Sequence, residues 1–224
     1  NADKLLAKVS GSNLPAQVLS NSEDGALTVR FVSTSSGSTN AGWEAEVSSY
    51  TPQAHFVETI TTSQVGESTI MRGSEKAPIQ RVVLKIGGDK GSVTINNLTF
   101  NKGTTTSLGN ITRTMLYYTG KSGGFIANNL LGENNGSTEQ ISFDLSGFSL
   151  TDAGEYNFWL ACNVDKNTTA GNKIGAALSS ITAGNTQILS IVTAKAVERT
   201  VKRGFSGNYV IGKSASADYS GFSA

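Results

Sequence analysis

Side chains in this chain alternate between apolar and polar in run after run, with a period of two. Leu27, Val29 and Phe31 alternate with Thr28, Arg30 and Val32. Trp43, Ala45 and Val47 alternate with Glu44, Glu46 and Ser48. The same holds for Val82, Leu84 and Ile86, for Ile141, Phe143 and Leu145, and for Tyr156 through Val164 in steps of two. Successive side chains of an extended strand point to opposite faces, so this pattern predicts strands with one buried face. Val93 and Ile95 set one phase, while Leu98 and Phe100 set the other. The slip at Asn96-Asn97 predicts a bulge. Turn signals punctuate the runs, among them Gly87-Gly88-Asp89, Gly120 to Gly124 and Asn134-Asn135-Gly136.

Composition points the same way. The 224 residues include 28 Ser, 24 Thr and 25 Gly but only 3 Pro. Ser, Thr and Gly are poor helix interiors, whereas Thr suits strands and Gly suits turns. No helix stands out. The expected fold class is therefore all-β: an antiparallel β-sandwich. Shifts in composition near Thr51-Pro52 and Lys195 to Arg203 predict three pieces: residues 1–50, a sandwich over 54–195, and 196–224 as a linker and the start of a further domain. In this division Arg199, Lys202 and Arg203 read as a solvated linker. The start at Asn1-Ala2-Asp3 and the end at Phe222-Ser223-Ala224 read as cuts in a longer polypeptide.

Charge excludes some functions. Eighteen basic residues against 17 acidic give a net charge of +1. No region has the sustained positive field that phosphate backbones require, so nucleic acid is not an expected partner. No apolar run is long enough for a helical membrane span. The single cysteine, Cys162, cannot form an internal disulfide or build a thiolate zinc site. No cofactor or metal is expected.

Three resemblances to known families overlie this reading. Lys4 to Pro15, Ala26 to Ser33 and Gly42-Trp43-Glu44-Ala45-Glu46-Val47 resemble the second half of a CUB domain. Some CUB domains bind calcium through an Asp where this chain has Thr34, so the resemblance carries no calcium site over. Val82 to Ile86, Ile95 to Phe100, Leu116-Tyr117-Tyr118-Thr119-Gly120, Leu150 to Leu160 and Ala170-Gly171-Asn172 resemble an immunoglobulin-like sandwich that precedes the catalytic propeller in some bacterial sialidases. Gly204 to Gly212 with Asp218-Tyr219 is similar to the lead-in of right-handed β-helix domains. Together these imply a non-catalytic accessory region of a secreted or surface bacterial multidomain protein. It would act as a spacer or as a glycan- or protein-binding module. The alternatives are a substrate-orienting part of a sialidase or protease whose catalytic domain lies elsewhere, and a purely structural adhesin segment.

Catalytic chemistry has few places to reside. A nucleophilic dyad would need His55, the only imidazole, together with a Ser or Cys162. Cys162 shares the phase of Tyr156, Phe158 and Leu160, which predicts an inert core thiol. Glu44 and Glu46 would stand about 7 Å apart on one strand face, a spacing some hydrolases use. Their outward phase favours a solvated face instead, as it does for Asp144 and Asp152.

The binding candidates are aromatic. Trp159 falls out of phase with Phe158 and Leu160, and Tyr117 and Tyr118 point to opposite faces. An outward ring could offer a flat apolar surface to a sugar or a partner protein. Alternatively, a second sheet, a loop or an adjoining domain covers it. Half a sandwich in residues 1–50 would expose apolar side chains and strand edges. Leu27, Val29, Phe31, Trp43 and Val47 are thus expected to be covered by preceding strands, by the second domain or by another copy of the chain.

Overall fold

The computed structural model describes residues 5–9, 15, 17–20, 22, 25–32, 44–49, 51–184, 186–188 and 197–204. The chain divides into two compact units, Asn1–Ser49 and Tyr50–Ala224. The described residues of the first unit form neither strand nor helix. The strands expected around 27–31 and 44–47 are absent there. An extended segment becomes a strand only through backbone hydrogen bonds to a neighbour, and no neighbour is described. Leu27, Val29, Phe31 and Val47 are exposed rather than covered, Val47 at 91%. Trp43 lies outside the described residues.

The second unit is an all-β sandwich. Among the described residues its strands are β1 (Phe56–Gln64), β2 (Thr69–Met71), β3 (Ala77–Gly87), β4 (Val93–Asn101), β5 (Ile111–Gly120), β6 (Leu130–Asn135), β7 (Gln140–Leu150), β8 (Gly154–Val164), β9 (Lys173–Ala183), β10 (Thr186–Ile188) and β11 (Val197–Lys202). A single 3-10 turn at Leu108–Asn110 is the one helical element among the described residues. No helix among them is long and apolar enough to cross a membrane. One sheet has the order β1-β3-β8-β5-β6, and the other β2-β11-β9-β4-β7, with β10 paired to β9. Every pairing is antiparallel except β11 with β2.

Alternation decides which side chains meet between the sheets. Val82, Leu84 and Ile86 of β3, Phe158, Leu160 and Cys162 of β8, Leu98 and Phe100 of β4, and Ile141 and Phe143 of β7 are all buried in one core. Fully burying a side chain of this size stabilises the fold by about 1.5–3 kcal/mol. The phase slip at Asn96-Asn97 is a real irregularity. The register of β4 shifts between Ile95 and Asn97 against both β7 and β9.

The expected linker at 196–203 is instead β11, inserted between β2 and β9. Lys202 and Arg203 are exposed, as a solvated segment requires, but Glu198 and Arg199 have partners. Lys173 and Glu198 pair at 2.7 Å. Arg199 donates from Nε to the carbonyls of Glu67 (2.9 Å) and Thr69 (3.1 Å), and from Nη1 to that of Pro78 at 2.9 Å. Thr69 belongs to β2 and Pro78 to β3, so this one side chain ties the two sheets together. Burial holds its guanidinium below the ordinary arginine value.

Candidate functional site

The outer face of the first sheet carries the most organised cluster of side chains away from the main core. Three adjacent strands, β3, β8 and β5, supply it. Register puts Arg81 of β3 opposite Trp159 of β8, and Trp159 opposite Tyr117 of β5. Met115, Tyr117, Trp159 and Ala161 form a second, smaller apolar cluster, with Val65, Phe125 and Ala127 packed against it.

The cover comes from the connection between β5 and β6. Trp159 donates from Nε1 to Thr119 Oγ1 at 2.8 Å, and Thr119 donates onward to the Ser122 carbonyl at 2.7 Å. Asn157, 1% exposed, donates from Nδ2 to the Gly120 carbonyl at 3.0 Å. Phe125 then lies 5.6 Å from the rings of both Trp159 and Tyr117, edge-on to the tyrosine. Gly120 turns the chain at a φ of +63°, and at Gly123 the segment passes so close to Arg81 that an added methyl would sit 3.1 Å from Nη2.

This corrects the expectation for the aromatic candidates. Trp159 and Tyr117 do occupy the outward face, but they are only 3% and 2% exposed. Neither presents a flat ring to a ligand, because a loop covers both. Tyr118 takes the opposite face, as the alternation requires. It packs edge-on to Phe148 at 4.9 Å and stacks on Tyr156 at 6.5 Å. Burial pushes the Tyr117 and Tyr118 phenols up.

Arg81 is the residue that sequence reasoning passed over. Its Nε donates to Asn157 Oδ1 at 2.8 Å, and its guanidinium lies 5.4 Å from the centroid of the Trp159 ring. A methyl added at Gly123 would sit 3.1 Å from its Nη2. The available signal was its outward phase on β3, beside a strand whose outward residues were an amide and an indole.

The potential catalytic groups are far apart. His55 approaches the Gly87 carbonyl through Nδ1 at 3.1 Å and the Thr151 carbonyl through Nε2 at 2.9 Å. Cys162 pairs across with Ala77 at the other end of the same strand β3. Ala77 and Gly87 are ten residues apart, which in an extended strand is about 33 Å. No Cys–His dyad forms. The Cys162 thiol is fully buried, and burial pushes it up to about 12.

The carboxylate candidates do not converge. Glu44 and Glu46 are exposed, with no strand through them. Asp144 accepts from the backbone N–H and hydroxyl of Ser146 at 3.0 and 2.6 Å, contacts that hold its carboxyl below the usual range. Asp152 stands exposed in the β7–β8 turn. Among the described residues no three His, Cys, Asp or Glu side chains group as a metal site.

No family model matches this chain, and no curated protein matches it. Among solved structures, it is similar to one described as Hadza microbial sialidase Hz136. The identity is 15% and the TM-score 0.48, over 65% of this chain and 31% of that one.

Proposed function

We propose that this chain is a non-catalytic accessory region of a secreted or surface-borne bacterial multidomain protein. It spaces or presents a neighbouring domain and engages glycan or protein through a shallow face. The observation that carries this reading is the state of the only imidazole: both ring nitrogens of His55 lie on backbone carbonyls, those of Gly87 and Thr151. Cys162 is locked in the core as a thiol, about 33 Å along β3 from Gly87. A nucleophile needs exposure and a base within hydrogen-bond reach.

The sequence resemblance to the sandwich that precedes a bacterial sialidase propeller supports an accessory role. The same proposal takes residues 1–50 as the latter part of a CUB-like sandwich and 204–224 as the lead-in to a further domain, on sequence resemblance alone. The test is to assay the chain against fluorogenic glycosides, esters and peptides, and to screen it on a glycan array. Retention of glycans without turnover is the expected result. Turnover that survives repurification and falls with substitution of a residue of this chain would overturn it.

A further inference from the structure

We infer that Arg81 on the outer face of the first sheet is a carboxylate receptor that takes an acidic sugar. Arginine offers five N–H donors in a planar fork that matches a carboxylate bidentately. Arg81 has only its Nε engaged, by Asn157 at 2.8 Å. Asn157 is itself held, through its other amide atom, to the Gly120 carbonyl. The guanidinium lies over Trp159, and the covering loop passes beside it at Gly123, where an added methyl would stand 3.1 Å from Nη2. Among the described residues, no carboxylate or carbonyl accepts from the two terminal nitrogens.

Four other cations of this unit are already engaged. Lys85, Arg113 and Lys173 are paired with Glu58, Glu133 and Glu198, and Arg199 is spent on carbonyls. Arg81 is thus already ordered, so binding an anion there forfeits little side-chain entropy.

The rim decides the kind of carboxylate. Ser63 of β1 lies opposite Arg81, and Thr61 is next on the same exposed face. Ser122 is exposed on the covering loop. The aromatic rings beneath the guanidinium are already covered, so what remains for a ligand is charge and hydroxyls. That rim matches a polyhydroxylated acid better than an apolar peptide flank.

This inference deepens the accessory reading and rests on it. The test is nitrogen-15 NMR of the whole chain, titrated with glucuronic acid to about 20 mM, well above a millimolar dissociation constant. Saturable movement of the Arg81 Nε–H and the Gly123 and Gly124 amide signals is expected, with none for glucose. Arg81→Lys and Arg81→Gln should each weaken binding by about tenfold or more, since a point charge or an amide lacks the fork. Gly123→Ala keeps the charge but crowds Nη2, so it should weaken binding even if Arg81→Gln fails to fold.

No saturable movement up to that concentration overturns the receptor. A glutamate-containing dipeptide that moves the same signals at lower concentration overturns the sugar assignment. A glycan-array signal that survives Arg81→Gln removes this site and leaves the accessory reading standing.

Discussion

Strands β7 and β8 are each eleven residues long, and both alternate in sequence, yet only one has a bare outer face. On β7 the outward Ser142, Asp144 and Ser146 are exposed while Ile141, Phe143 and Leu145 are buried. On β8 every residue from Tyr156 to Cys162 is buried. The difference arises elsewhere in the chain. The loop after β5 folds over Asn157, Trp159 and Ala161, and nothing comparable among the described residues lies on β7. Periodicity assigns a side chain to a face; whether that face is wet depends on a segment far away in sequence.

Trp159→Ala tests the comparison most severely. Although Trp159 faces away from the main core, the substitution should cost about 3–5 kcal/mol in a denaturant titration, the range for a large buried aromatic. A cost near that of an exposed residue would mean the loop is no true cover.

Alkaline unfolding is the next test. The Cys162 thiol titrates near 12 when folded and near 9 when free. Folding favours the neutral form, so its contribution is intact below pH 9 and is lost as pH rises above that. Stability should fall by about 1.4 kcal/mol per pH unit there, and the part of the loss that begins near pH 9 should vanish in Cys162→Ala, leaving the loss above pH 10 that the raised Tyr117 and Tyr118 phenols add. At pH 8 a thiol reagent should react only with unfolded chain.

Asn157→Ala should cost about 1–3 kcal/mol, because it strands both the Gly120 carbonyl and the Arg81 Nε. The smallest effect belongs to β7. Ser146→Ala should leave the denaturation midpoint in place. It should raise the Asp144 titration midpoint toward the ordinary carboxylate value, read by carboxyl carbon NMR. Asp144 is held below its free value when folded, so any contribution it makes is present at neutral pH and is lost as pH falls through that depressed value.

Much of the sandwich was legible in the sequence. Val82 to Ile86, Ile141 to Leu145 and Tyr156 to Val164 announce strands by alternation alone, and Asn96-Asn97 announces a bulge. Three things were hidden. β1 reads Phe-Val-Glu-Thr-Ile-Thr-Thr-Ser-Gln, with Ile60 its one buried residue, so its pattern is faint. β11 places Glu198, Arg199 and Thr200 between its two buried valines, and only the fold shows that those polar groups have partners. The covering of Trp159 was hidden too. It depends on Phe125, an isolated aromatic after a glycine cluster that alone signals no more than a turn. For residues 27–32 and 44–49 the difficulty is reversed. Alternation is clear there, but the hydrogen-bonding neighbours that would make strands of them are not among the described residues.

The placement of β11 has a consequence for how the chain is made. β2 pairs with β11 alone, and β11 is the last described strand to leave the ribosome. The second sheet therefore cannot zip up in the order of synthesis. Thr69–Met71 must wait as a loose end until Val197–Lys202 arrives to join it to β9. Expression clones trimmed at residue 195 would lack the piece that fastens one edge, and they should accumulate as aggregated, protease-sensitive material even though most of the core-facing apolar residues are present.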